Sequence, residues 1–178
     1  MVRVVFVRHG KSQLGFDHSL DSPLSPAGLD QAKTGAEDIA RRFAPMPILS
    51  SPLLRARQTA QPLAARWGDA VSIEPALTEI PVPDAPGVDD PAGRRSCLNA
   101  LLAGHYGRMP AEVQAWRSRL LSFVAALDRD CVAFTHYLTI NAIVGAIDGD
   151  DRVVVCDPPH CVPWEFAVEG GVVVRNKR

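Results

Sequence analysis

The chain has almost no net charge, with 19 Lys and Arg against 20 Asp and Glu leaving −1 over 178 residues. That balance excludes the broad positive field that draws a protein to nucleic acid or an anionic membrane, but it allows a local cationic cluster for a small anion. Long hydrophobic runs are missing too. No apolar stretch reaches the roughly 18 residues of a membrane span, and the strand-like pattern begins at Val2 without the basic segment, apolar core and cleavage site of an export signal. Cysteine is scarce. Cys97, Cys131, Cys156 and Cys161 show no paired metal-ligand spacing, and Cys131 and Cys156 sit in apolar runs as core thiols. The expectation is a cytoplasmic protein with reduced cysteines, no bound metal or cofactor, and no nucleic-acid or membrane partner. Internal repeats and low-complexity tracts are also absent.

What remains is an ordinary apolar fraction of 47% in a length that suits one domain, residues 1–178, with a single substantial core. Short apolar runs alternate with helical periodicity. Val2 to Val7 reads as a strand, Ile48-Leu49 as another, then Val71 to Glu74 and Cys131 to Thr135. Between them, Ser25-Pro26 starts a helix carrying Leu29, Ala32, Ala36, Ile39 and Phe43, and Leu53 to Trp67 forms a second helix interrupted by Pro62. Val113 to Leu127 is amphipathic, and Leu138 to Ile147 is nearly all apolar. Val153 to Cys156, Trp164 to Val168 and Val172 to Val174 close the chain as strands, with Gly170-Gly171 turning the last pair into a hairpin. The pattern predicts a three-layer α/β/α sandwich on a mostly parallel mixed sheet. From about 80 to 110 the prolines and glycines (Pro81, Pro83, Pro86, Gly87, Pro91, Gly93, Gly104, Gly107, Pro110) predict a mostly irregular, lid-like excursion with one short helix near Arg95 to Leu102.

Chemistry gathers where strands end. The first strand delivers Arg8-His9-Gly10 to its C-terminal edge, where ligands bind in open α/β sheets. A second strand end opens Ser50-Ser51-Pro52-Leu53-Leu54-Arg55-Ala56-Arg57-Gln58-Thr59-Ala60, and a third ends in Thr135-His136. Parallel strands would bring all three to one edge. An imidazole nucleophile beside guanidinium forks suits phosphoryl transfer, with Gly10 letting backbone approach closely.

These segments, with Leu24-Ser25-Pro26-Ala27-Gly28, resemble the histidine phosphatase superfamily, also called phosphoglycerate mutase-like, over about residues 2 to 147. The resemblance implies a phosphohistidine mechanism. On matching positions, it makes His9 the nucleophile and Arg8 and Arg55 the phosphate-binding pair. Ser12 is a further phosphate contact, and His136 is a second histidine that acts as a cation on the phosphoryl oxygens. A backbone carbonyl must accept from the other nitrogen of His9 to fix its tautomer, and Gly10 is placed to supply it. Glu79 sits where the family's general acid lies, with Asp84 as second candidate. Departures are Gly15 where an asparagine often contacts phosphate, and Tyr137-Leu138 where glycines commonly follow the second histidine. His160 either approaches the site from its loop or, the favoured reading, is a solvent-exposed loop residue; Arg57 is expected as a helix-surface charge, and Arg94 and Arg95 as exposed excursion residues, the alternative being that they hold a second acidic group of the substrate.

The leading expectation is therefore a metal-independent phosphatase acting on a small phosphorylated molecule, with phosphate or sulfate occupying the site. A mutase-type phosphotransferase and a protein phosphohistidine phosphatase are the alternatives, and a non-catalytic phosphate-binding module is the least favoured.

Overall fold

The computed structural model describes residues 1–15, 18–82 and 90–175. Its centre is β1 (Val2–Arg8), whose Val4, Phe6, Val5 and Val7 are fully buried. A strand apolar on both faces needs a cover on each, and β1 receives them. Val5 and Val7 pack with Ile39 of α1 (Pro26–Arg42), Leu63 of α2 (Leu54–Trp67) and Phe134. Val4 and Phe6 face the opposite way, into Leu120 and Val124 of α4 (Ala111–Ala125) and Ile140 and Ile143 of α5 (Tyr137–Asp148). The two-residue period of the strand thus generates two cores and three layers.

The six-stranded sheet runs β3-β2-β4-β1-β5-β6, where β2 is Ile48–Ser50, β3 Val71–Ile73, β4 Cys131–Thr135, β5 Pro163–Glu169 and β6 Val172–Arg175. β3, β2, β4 and β1 pair in parallel, while β5 and β6 are antiparallel. Register sets Arg8 opposite Thr135 and Ser50 opposite Phe134. The three chemistry-bearing strand ends therefore emerge side by side. Gly170 and Gly171, at φ 57° and 79°, make the β5–β6 hairpin turn.

Two expectations are corrected. Val153 to Cys156 is not a strand, because the amide donors of Val155 and Cys156 are taken by Asn141 Oδ1 of α5 at 2.7 and 2.8 Å, and Val153 donates to the Gly104 carbonyl. The segment runs over α5 rather than along a sheet edge. The described part of the excursion from Asp90 onward is also less irregular than its composition suggests. α3 spans Pro91–Leu102, starting ahead of the expected Arg95, because Asp90 Oδ1 caps the Gly93 amide at 2.7 Å and Pro91 fits the first helical position. A short 3₁₀ turn follows at Tyr106–Arg108. Asp84, the second candidate acid, lies outside the described residues.

α2 continues through Pro62, ending at Gly68 in the left-handed region. α1 begins as expected, with Ser25 Oγ accepting from the Gly28 amide at 3.1 Å.

Candidate active site

The loop after β1 is strapped to α1 by backbone contact. Ser25 donates to the Lys11 carbonyl through both its amide (2.9 Å) and its hydroxyl (3.0 Å). A Cβ on Gly10 would sit 2.5 Å from the Gly28 carbonyl oxygen, and one on Gly28 would sit 2.1 Å from that of Lys11. The close approach anticipated for Gly10 is therefore made to another glycine in the protein. The physical work of the Leu24 to Gly28 segment is to hold this loop still.

His9 is buried, and its Nδ1 lies 2.7 Å from the Gly10 carbonyl oxygen. A carbonyl only accepts, so Nδ1 carries the proton and Nε2 keeps its lone pair. Arg55 Nε donates to that Nε2 at 3.1 Å. Burial above all, then the Arg55 charge, pushes His9 down to about 3, so the free imidazole is neutral throughout the physiological range. Thr59 couples the two residues, accepting from the Gly10 amide at 3.0 Å and donating to the Arg55 carbonyl at 2.7 Å.

The guanidinium groups are fixed by carbonyls. Arg55 Nη1 donates to Leu20 at 2.8 Å, and Arg8 Nη1 donates to Pro158 at 2.9 Å. Arg8 also lies over the Tyr137 ring, 4.8 Å from its centroid. Burial lowers both arginines from their usual range while the Glu79 carboxyl pulls the other way. Arg8 Nε is buried with no partner among the described residues, a donor whose desolvation is uncompensated by protein.

His136 is fully buried, its ring 5.2 Å from that of His9, and its Nε2 shares a 2.7 Å hydrogen bond with Ser51 Oγ. In the free protein, with no phosphoryl group beside it, the His136 imidazole favours its neutral form. Burial first, then His9, Arg55 and Arg8, hold it well below the usual imidazole range. Its Nδ1 has no partner among the described residues.

Glu79 is carried on a segment pinned from three directions. Thr135 Oγ1 donates to the Leu77 carbonyl at 2.7 Å, and Thr139 Oγ1 and Trp116 Nε1 both donate to that of Thr78 at 3.1 Å. The Glu79 carboxyl accepts from the Ile80 amide at 3.0 Å and the Leu138 amide at 3.4 Å. Burial raises its pKa, with those amides, Arg55 and Arg8 opposing. A carboxyl displaced toward neutral pH suits a proton donor.

A cavity of about 690 Å³ brings Arg8, His9, Ser12, Arg55 and Glu79 to one wall. Gly15 contributes there as well. His136, buried beside the His9 ring, is not among the residues that line the cavity, and Arg57 is exposed as expected. Arg94 and Arg95 sit on α3 rather than on the cavity wall.

His160 takes the less favoured of the two places its sequence allowed, approaching the site from its loop. It is half-buried on the cavity wall, with its ring 5.8 Å from His9 and Nδ1 donating to the His9 carbonyl at 2.6 Å. Its loop is tied to the same dipeptide by Cys161 N donating to the Arg8 carbonyl at 2.9 Å and by Arg8 Nη1 donating to Pro158. Cys161 has φ 60°, a conformation costing a non-glycine residue about 1–3 kcal/mol that only such over-determination sustains. Gly35 makes room for it, since a Cβ there would lie 2.7 Å from the Cys161 carbonyl oxygen. Pro158-Pro159 before the histidine was the sequence signal of a stiffened approach.

Comparison with known proteins places the chain in a family. A family model described as the histidine phosphatase superfamily (branch 1) matches residues 4–153. The glucosyl-3-phosphoglycerate phosphatase of Mycobacterium tuberculosis (strain ATCC 25618 / H37Rv) is 34% identical over 131 residues, 67% of this chain and 58% of that protein. A probable phosphoglycerate mutase GpmB of Enterobacter sp. (strain 638) is 29% identical over 126 residues, 68% of this chain and 51% of that protein. The chain spans about half the length of the curated relatives it matches. In fold, it resembles a mycobacterial glucosyl-3-phosphoglycerate phosphatase solved with inorganic phosphate, with TM-score 0.72 and 24% identity over 94% of this chain and 90% of that one.

Proposed function

The chain belongs to the histidine phosphatase superfamily, and from that premise we propose that it hydrolyses a small phosphomonoester through a phosphohistidine on His9. The observation that carries the proposal is the fixed Nδ1–H tautomer of His9, which keeps an unprotonated Nε2 beside a guanidinium in a cavity wall. In the first step the Nε2 lone pair attacks phosphorus, the ester P–O bond breaks, and Glu79 gives its proton to the departing oxygen. In the second step water attacks the phosphoryl group, the N–P bond breaks, and the Glu79 carboxylate takes the proton that water loses.

Arg8 and Arg55 neutralise the phosphoryl charge, with the unpartnered Arg8 Nε and Ser12 as further donors. A phosphate dianion also reverses the electrostatics at His136. With negative charge replacing its cationic surroundings, its imidazole takes up a proton and donates to a phosphoryl oxygen as charge moves. The names of the relatives make a phosphorylated glyceric acid the first polar ester to try.

The test is incubation with a ³²P-labelled ester followed by rapid denaturation. An acid-labile, base-stable labelled protein that disappears in His9→Ala is expected, together with release of free phosphate. Normal turnover by His9→Ala would overturn the mechanism. The mutase reading, favoured by the GpmB relative, predicts positional isomerisation of phosphoglycerate instead of free phosphate.

A further inference from the structure

The cavity is chemically two-sided. Residues of the loop after β1, Lys11, Ser12, Gln13, Ser19 and Ser22, give it a polar wall continuous with the phosphoryl-binding groups. Besides Leu14 of that same loop, the apolar lining residues are Ile80, Leu98, Leu102, Tyr137, Leu138 and Val154. These six come from four places in the chain: the segment after Glu79, α3, the start of α5, and the run over α5. All of them belong to or pack against one core cluster, the one that fills the α4/α5 side of the sheet.

The cavity therefore cuts into the margin of the hydrophobic core instead of lying on a polar surface. Leu98 and Leu102, four residues apart on one face of α3, are only half-buried, and so are Tyr137 and Val154. Beyond Arg8 and Arg55, Lys11 is the one lysine or arginine among the described residues that line the cavity. A polyhydroxylated or multiply anionic leaving group would meet uncompensated aliphatic surface along this wall, and its hydroxyls would lose water without gaining partners. A hydrocarbon leaving group would remove that same surface from water.

Resting on the phosphatase reading above, we infer that the substrate is the phosphomonoester of a hydrophobic alcohol or phenol, its phosphoryl group on His9 and its hydrocarbon against α3 and Val154. Tyr137 has two parts in this arrangement. One ring face holds Arg8, and the ring also borders the path of the leaving group, so the aromatic residue at the second-histidine corner couples phosphoryl binding to leaving-group choice. Ionised arginine below and aliphatic carbon above give the pocket the polarity profile of an amphiphile.

The experiment measures kcat/KM by phosphate release across methyl, ethyl, butyl, hexyl and phenyl phosphates, with glucose 6-phosphate and 3-phosphoglycerate alongside. The expected result is a rise of about two- to fivefold per added methylene up to the length of the cavity, with the sugar and acid esters well below hexyl phosphate. In Leu98→Asn and in Val154→Thr, which lie on separate elements, the hexyl-to-methyl ratio is expected to fall by about tenfold, with folding checked by thermal denaturation. A flat series, or 3-phosphoglycerate or glucose 6-phosphate preferred over every hydrophobic ester, would overturn the inference and leave phosphohistidine hydrolysis standing. No phosphate release from any ester and no labelled His9 would overturn the phosphatase reading itself.

Discussion

The two sides of the cavity are built to different standards. Around the phosphoryl position, four side chains are tied to a backbone group or to a neighbouring site residue at 2.6–3.1 Å: His9 to Gly10, Arg55 to Leu20 and His9, Arg8 to Pro158, His160 to the His9 carbonyl. The opposite side depends on α3, where Leu101 is buried but Leu98 and Leu102 are half-open. By contrast, α5 buries every residue from Leu138 to Gly145. Stabilising charge in phosphoryl transfer needs partners that stand in place beforehand, whereas the hydrocarbon leaving group proposed above has no direction to satisfy. On that reading, reaction and selectivity fall to regions of unequal burial and hydrogen bonding.

If that contrast is right, the cradle responds to geometry and not only to charge. Arg55→Ala is expected to lower kcat/KM by about 10³-fold, roughly 4 kcal/mol of transition-state stabilisation. Arg55→Lys should recover little, because an ammonium lacks the fork that serves His9 and phosphate together. Near-normal activity in the lysine variant, measured by initial rates, would break the contrast at its strongest point.

In kcat/KM, which reports formation of the phosphoenzyme and not its hydrolysis, Glu79→Gln should cost about 10²–10³-fold with alkyl phosphates and far less with p-nitrophenyl phosphate, whose departing oxygen needs no proton. The alkaline limb of the wild-type pH profile, set by Glu79 with its raised pKa, should disappear in the same variant. Equal losses on both ester types would remove Glu79 from the acid role.

The buried imidazoles also set a pH dependence of stability. His9 and His136 are held below their unfolded value, so the unfolded chain binds more protons than the folded one once the pH drops below about 6.5. Stability is full above that pH and declines as it falls toward the His9 value of about 3, by up to about 1.4 kcal/mol per pH unit for each histidine. Urea unfolding from pH 7.5 to 4.5 checks this, and added phosphate should flatten the decline.

Gly35→Ala tests the strap behind His160. The added methyl meets a backbone carbonyl, so a loss of about 1–3 kcal/mol and a displaced His160 are expected, read by denaturation and by the His160 imidazole NMR signal. The smallest effect belongs to α3. Ala100→Gly on its exposed face should cost less than about 1 kcal/mol of global stability, whereas Ala142→Gly inside α5 should cost more. Equal costs would mean that α3 is as firmly anchored as α5.

Much of this was legible in the chain. The alternation of apolar strands with periodic helices determined the layers, since a strand apolar on both faces must be covered twice. Arg8 and His9 stand out at the end of an apolar strand, whereas Arg55 and Glu79 are singled out through the family resemblance, since each alone reads equally as an ordinary structural or surface residue; Gly10 was the neighbour expected to hold the His9 tautomer, and its carbonyl lies 2.7 Å from Nδ1. Local sequence also hid things. Val153 to Cys156 looks like a strand because apolar content cannot tell whether its amides will meet a ladder or the Asn141 side chain. α3 was under-read because glycine and proline counts obscured the Asp90-Pro91 cap.

Sequence by itself determined which groups could do phosphoryl chemistry, since side-chain type and local backbone fix donor, acceptor and nucleophile. Only tertiary structure decided their protonation and company. Burial pushes His9 and His136 toward the neutral form, a left-handed Cys161 resting on Gly35 brings His160 to the cavity, and residues from the margin of the α4/α5 core line it. Each of these depends on contacts between residues far apart in the chain, and desolvation and packing belong to such contacts rather than to any one segment.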